Sequence, residues 1–312
     1  MSEINAAQFT QIKELFTEFK TATDPIVQKT GSIFGEITES TEKMIDTSKE
    51  VFQEALKTPL DSIGCFDKKY AHIAEASYEF TKENAVIEGT KRLDQYTTEN
   101  EKTGFQGCVY QDGDEIIIAF RGSDEGNRDG LYLLVPLGND NNTLDWKSNS
   151  QMNQNQIPEQ YYDAINLYQK VAKDFPDKKI TLTGHSLGGS LAQLVAATRT
   201  EQGEQPKAVT FNAYGTKPIT SRNFETFTTN KNNRNYYIGT DSLVGARRQH
   251  NGKAIEMFDE KNNPDKDEHT ITNFTSLNSL DFALANIQRS DFSGITTRDS
   301  YIPKDKQNAQ VI

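Results

Sequence analysis

The chain has 312 residues, a formal charge of −11, a sequence pI near 5.0 and a mean hydropathy of −0.71. That length fits one large domain with an extension, or two domains. The acidic balance argues against a nucleic-acid partner and against simple adsorption to anionic membranes, and the longest apolar run, residues 116–120, is far too short to span a bilayer.

The first 58 residues contain no Cys, Trp, Tyr or His. Apolar residues recur there at helical spacing (Ile4, Ala7, Ile12, Leu15, Phe16, Phe19, then Ile26, Ile33, Phe34, Ile37 and Met44 to Leu56). The pattern predicts two amphipathic helices broken near Asp24-Pro25. Six Lys against ten Asp plus Glu leave this stretch at −4, unlike a basic membrane-surface helix. Residues 1–60 are therefore read as a helical segment ahead of a catalytic domain over 61–312. It either packs as a hairpin or, through residues 1–58, meets an export, chaperone or immunity partner. The N-terminus lacks a basic stretch followed by an apolar one, so the expectation is secretion by a leaderless route, otherwise a cytoplasmic protein.

The second part opens with a helix-like run from Asp67 to Phe80. Phe105–Tyr110 and Glu115–Phe120 predict a hairpin around Asp112-Gly113-Asp114. Residues 122–158 read as a long irregular stretch carrying an apolar island, Leu131-Tyr132-Leu133-Leu134-Val135. Stretches of that length are usually functional. A helix follows from Glu159 to Phe175, stopped by Pro176. Lys179–Thr183, Lys207–Phe211 and Asn235–Gly239 predict strands, and helices resume after His269. Strands alternating with helices imply an α/β layer fold. Cys65 and Cys108 sit in no metal-like spacing and are read as buried free thiols. With four His and no His/Cys cluster, neither a metal nor another cofactor is expected.

Gly184-His185-Ser186-Leu187-Gly188, followed by Gly189, lies between the strand at 179–183 and an apolar run from Ser190 to Ala197. A serine between glycines at a strand-to-helix corner is the nucleophile elbow of α/β-hydrolase-type sheets. The tight turn demands small neighbours, lifts the hydroxyl above the sheet and sets a helix N-terminus beside the reacting carbonyl. Serine needs a base, and the base an orienting acid, in the order Ser, Asp or Glu, His. Asp241 follows a strand at the end where α/β sites collect. Asp259 and Asp265 read as solvated charges. His269, at the start of an apolar segment, is the preferred base. His250 is the alternative, although its stretch Arg247–Lys253 reads as a solvated loop that could meet phosphate headgroups. His72 reads as surface or packing. Leu187 N–H supplies one oxyanion donor. Ser123, after the strand exit Phe120-Arg121-Gly122, supplies the other.

These motifs resemble the lipase class 3 family. The matching pieces are Phe120-Arg121-Gly122-Ser123, Asp145-Trp146 before a helix, Gly184 to Gly189, and Val209-Thr210-Phe211-Asn212-Ala213. Gly104-Phe105-Gln106 and Asp145-Trp146-Lys147-Ser148-Asn149 resemble the bacterial secreted phospholipase A1 enzymes most. The resemblance covers roughly residues 65–290. It implies a triad of Ser186, Asp241 and His269, oxyanion donors at Ser123 and Leu187, no metal, and cleavage of acyl esters at a lipid or membrane surface, at the sn-1 position of glycerophospholipids. Trp146, Leu131, Leu133 and Leu134 are the candidate substrate contacts. The insert over 124–144 is a candidate lid. Two other readings stay open: an acylglycerol lipase or esterase with the same triad, and a non-catalytic interaction or toxin-delivery protein on a hydrolase fold.

Overall fold

The apolar run at residues 116–120 becomes the middle of a nine-stranded mixed sheet. The structure is a computed structural model that describes residues 67–79, 86–123, 142–223, 233–238, 249–257, 269–277 and 282. The expected helical segment over 1–60, the island at 131–135, Cys65, Asp241, Asp259 and Asp265 lie outside the described residues, as does the side chain of Trp146.

The described strands are β1 (Val86–Ile87), β2 (Thr90–Arg92), β3 (Thr98–Asn100), β4 (Phe105–Asp112), β5 (Glu115–Phe120), β6 (Lys179–His185), β7 (Lys207–Phe211), β8 (Arg234–Ile238) and β9 (Lys253–Met257). They pair in the order β1-β2-β4-β5-β6-β7-β8-β9, with β3 added alongside β4. From β1 to β5 the pairing is antiparallel, and the β4–β5 hairpin turns at Asp112–Glu115 as expected. From β5 to β9 it is parallel, so each step needs a crossover. The helices are α1 (Lys68–Ala76), α2 (Asn142–Asn153), α3 (Gln160–Asp174), α4 (Leu187–Glu201), α5 (Lys217–Asn223) and α6 (Thr272–Thr275).

Alternation along the strands separates two buried faces. Ile116, Ile118, Phe120 and Leu182 join Leu167, Val171, Leu191 and Val195 in one apolar cluster under α3 and α4. The opposite face carries Thr183, whose hydroxyl donates to the carbonyl of Tyr70 in α1 at 3.2 Å. Helix α1 is pinned at its start by Asp67, fully buried. Asp67 accepts two bonds from the Arg234 guanidinium, one of 2.7 Å, and a third from the Tyr236 hydroxyl at 2.7 Å. A buried carboxylate is tolerated only with such partners. This cluster locks α1 onto β8. A mixed sheet covered on both faces, with its parallel half running from β5 to β9, is an α/β-hydrolase-type fold.

Two expectations are corrected. Residues 142–153 are not irregular but form α2. It is anchored by Asp145, buried in its first turn, which accepts a 2.8 Å bond from Gln160 Nε2 at the start of α3. Asp145 and Trp146 thus lie inside a helix rather than ahead of one. The Arg247–Lys253 stretch is also not a solvated loop where it is described: His250 and Asn251 are buried, and Lys253 opens β9.

Candidate active site

Strand β6 and helix α4 meet at Ser186 with no intervening loop. Ser186 has φ 55° and ψ −126°, a region that side-chain-bearing residues rarely adopt. The surroundings hold it there. Its N–H donates to the Phe211 carbonyl of β7 at 3.0 Å, and its own carbonyl accepts from Ser190 N–H and from Ser190 Oγ. The neighbouring glycines are required by close approach. A Cβ on Gly188 would lie 2.0 Å from the Phe120 carbonyl oxygen, and one on Gly184 would lie 2.5 Å from the Gly188 backbone. The first turn of α4 therefore rests directly on β5 and β6. Leu187 N–H, at the first position of that helix, has no intrahelical acceptor and is available to an anion.

His269 reaches this corner from the turn ahead of α6. Its Nε2 lies 2.8 Å from Ser186 Oγ, and in the tautomer protonated on Nδ1 the serine hydroxyl donates to it. Both residues are buried, Ser186 at 8% exposure and His269 at 4%. Beside them, His185 Nε2 lies 2.6 Å from the His269 carbonyl oxygen, and Tyr78 Oη lies 2.8 Å from His185 Nδ1. The two imidazoles sit 4.8 Å apart, tilted by 44°.

The strand exit after β5 closes the third side. Gly122 packs so tightly that a Cβ there would lie 2.6 Å from the His185 carbonyl oxygen and 2.2 Å from Tyr78 Oη. Ser123 follows. Its Oγ accepts a 3.0 Å hydrogen bond from Asn149 Nδ2, on α2 one helical turn beyond Asp145. Asn212, at φ 41°, accepts from Ile238 N–H at 2.9 Å and donates its own N–H to Tyr236. It thereby ties the ends of β7 and β8 together.

Among the sequence-predicted residues, the structure brings together Ser186, Leu187 and His269, and it sets Gly122, the residue before Ser123, against the His185 carbonyl. It places His250 elsewhere. That ring lies over α4, where Gln193 Nε2 donates to Nδ1 at 3.1 Å, and it stacks on Tyr237. Burial lowers its pKa from 6.5 to about 4, so it is a neutral core group rather than an alternative partner for Ser186 or a headgroup contact. His72 sits part-buried on α1, facing Glu75 and Glu88. Cys108 is a buried free thiol pushed up to about 11 by burial, and hence no nucleophile. The positions proposed as substrate contacts (Leu131, Leu133, Leu134 and the Trp146 side chain) lie outside the described residues. Among the described residues no group of three or more His, Cys, Asp or Glu could hold a metal ion, and no helix is long and apolar enough to cross a membrane.

Three residues near the site were not singled out from sequence. Tyr78 lies just past the end of an amphipathic helix and carries no local cue. His185 lies inside the elbow motif, and nothing local in the sequence indicates that its ring grips the backbone of His269. Asn149 lay inside a quoted motif, and its spacing of four from Asp145 places both on neighbouring turns of one helix face.

Comparison with known proteins agrees in kind. The profile of a phospholipase-like family, described as the Tle-like phospholipase domain, matches residues 67–270. A protein named "Putative lipase ATG15" from Eremothecium gossypii is 48% identical over 65 residues, which is 20% of this chain and 11% of that protein's length. Among solved structures, the nonglycosylated LIP2 lipase of Yarrowia lipolytica is similar at 17% identity, over 66% of this chain and 80% of that one, with a TM-score of 0.43. The lipase from Rhizopus microsporus var. chinensis is similar at 18% identity, over 69% and 83%, with a TM-score of 0.39.

Proposed function

The chain belongs to the phospholipase-like family of the Tle-like phospholipase domain, and from that premise we propose that it is a lipid ester hydrolase, and more specifically a phospholipase A1 acting through Ser186, His269 and Asp241. The observation that carries the reading is the 2.8 Å contact between Ser186 Oγ and His269 Nε2 at a strained strand–helix corner. A strained backbone at a buried serine costs stability on the order of 1–3 kcal/mol and persists where the geometry itself is used.

In the proposed reaction His269 takes the Ser186 proton as Oγ attacks the ester carbonyl carbon. Leu187 N–H and Ser123, through its N–H and hydroxyl, receive the charge on the carbonyl oxygen. The imidazolium returns its proton to the departing alcohol, leaving an acyl-serine. Water, deprotonated by His269, then releases the fatty acid. Asp241 holds the imidazole tautomer and stabilises its cation. All of the proton acceptors and oxyanion donors are protein groups, so the proposed chemistry needs neither metal nor cofactor. The substrate would be met at a lipid surface, with residues 124–144 covering the entrance and residues 1–58 serving export or a partner.

The same residues would serve an acylglycerol lipase, and the 65-residue segment shared with a protein named "Putative lipase ATG15" favours that second reading. Vesicles of mixed phospholipid and triacylglycerol with positionally labelled chains separate the two. We expect sn-1 fatty acid from phospholipid, abolished in Ser186→Ala and reduced by at least about a thousandfold in His269→Ala. Release from triacylglycerol alone moves the substrate and keeps the serine chemistry. No release from any ester by a folded protein overturns the reading.

A further inference from the structure

Two histidines converge at the elbow, and only one of them touches Ser186. We propose that the other, His185, is a positioning residue: held by Tyr78, it tethers the backbone of His269 and so sets the imidazole of His269 on Ser186. The inference rests on the catalytic reading of the Ser186–His269 pair.

The hydrogen-bond chemistry fixes the direction of the tether. A carbonyl oxygen can only accept, so at 2.6 Å from the His269 oxygen the His185 Nε2 must carry a proton and donate it. In the neutral ring Nδ1 is then an acceptor, and the Tyr78 hydroxyl donates to it at 2.8 Å. One tautomer satisfies both contacts, and the ring, 1% exposed, has no surface on which to relax. Apolar packing alone would account for a buried ring at this position, but not for two polar partners recruited from two distant segments.

The tether matters because His269 has little regular structure of its own. It precedes α6, a helix of four residues, with Phe274 N–H bonded to Ile271 and Asn273 N–H to Thr270. His185, by contrast, ends the central strand β6, next to Ser186 itself. A bond from His185 to the His269 carbonyl references base and serine to the same strand.

Tyr78 is equally well anchored. Its N–H donates to the Glu75 carbonyl at 3.0 Å, just past the end of α1. Its hydroxyl is wedged against Gly122, the residue before the proposed oxyanion donor Ser123. One hydroxyl thus abuts the oxyanion turn and orients the histidine that holds the base. Displacing a reacting group by about 1 Å costs on the order of a hundredfold in rate, which sets the scale of the expected effect.

The test uses the full chain with 4-nitrophenyl butyrate as the probe ester, and 15N-histidine spectra of the same samples. His185→Leu is expected to lower kcat about 10- to 100-fold with KM within about threefold. His185→Gln, which restores an N–H at similar reach, is expected to recover most of the loss. Tyr78→Phe is expected to lower kcat severalfold and to shift the His185 nitrogen signals away from a single Nε2–H tautomer. A His185→Leu protein with kcat within twofold of the parent overturns the proposal, and so does a parent spectrum showing His185 protonated on Nδ1 alone. The spectrum needs no variant, so misfolding of His185→Leu does not shelter the idea. If the parent itself fails to turn over the ester, as Ser186→Ala must, the hydrolase reading is what fails. The tautomer then still decides whether the tether exists.

Discussion

Ser123 can stabilise an oxyanion only if its hydroxyl proton is kept for the substrate. Asn149 provides for this by donating Nδ2–H to Ser123 Oγ at 3.0 Å. The donated bond occupies a lone pair of the oxygen and leaves its proton to point elsewhere. A carboxylate at the same place would instead accept that proton. Asn149→Leu, close in volume but without a donor, is therefore expected to lower kcat about tenfold or more while leaving KM nearly unchanged, because the oxyanion exists only beyond the ground state. Steady-state kinetics on a soluble ester give the answer. Equal losses in kcat and in affinity would instead assign Asn149 to packing. At the residue scale an elbow motif and order along the chain single out Ser186 and His269, which the structure brings to 2.8 Å of each other, but not their supports. Nothing local in a sequence says that Tyr78 and His185, 107 positions apart, share a hydrogen bond.

At the scale of elements, the site depends on how closely α4 lies on β5 and β6. The Gly188 Cα faces the Phe120 carbonyl, with room for no further atom: an added methyl would sit 2.0 Å from the oxygen. Backbone cannot yield as a side-chain tip can. Gly188→Ala must therefore push the helix start off the sheet, with an expected cost of at least about 1–3 kcal/mol for overpacking. Because that helix start carries Leu187 N–H and fixes Ser186, activity should fall further than stability does. Urea unfolding, together with the labelling rate of Ser186 by a fluorophosphonate, measures both. Labelling at the parent's rate would mean that the corner tolerates the shift. The elements themselves were unevenly legible. The β4–β5 hairpin, β6, β7 and α3 were read to within two residues at each end, since β-branched apolar runs and a helical period are strong local cues. Helix α2 was missed because Asn142–Asn153 is polar and only weakly amphipathic; tertiary contacts such as Asp145 with Gln160 hold it. Strands β1 to β3 are two or three residues long, β2 and β3 are polar, and β9 is short, partly buried and, among the described strands, paired only to β8. Pairing rather than sequence preference makes them strands.

For the molecule as a whole, acid acts in two opposite directions. Near neutrality the chain carries −11, and lowering the pH toward its pI near 5.0 removes self-repulsion, which by itself favours the compact state. His250 works the other way. Burial lowers its pKa from 6.5 to about 4, so between these values the unfolded chain binds a proton that the folded chain refuses. Stability from this site is thus complete above pH 6.5 and drains away as pH falls toward 4. The span is worth about 3 kcal/mol, of which about 2 kcal/mol is gone by pH 5. That is a large share of the 5–15 kcal/mol typical of a folded domain. The cost has a structural address. Gln193 donates to His250 while its own oxygen accepts from Thr216 Oγ and Asn251 N–H, so no acceptor on Gln193 remains for a protonated ring. His250→Gln removes the titrating group from the same pocket. The stability advantage of the parent over this variant is expected to shrink by about 2 kcal/mol between pH 7.5 and pH 5, as read from urea unfolding at the two pH values. An advantage that stays constant would show that the ring titrates alike in the folded and unfolded chains. The acid sensitivity of the fold would then lie outside the Gln193–His250 pair.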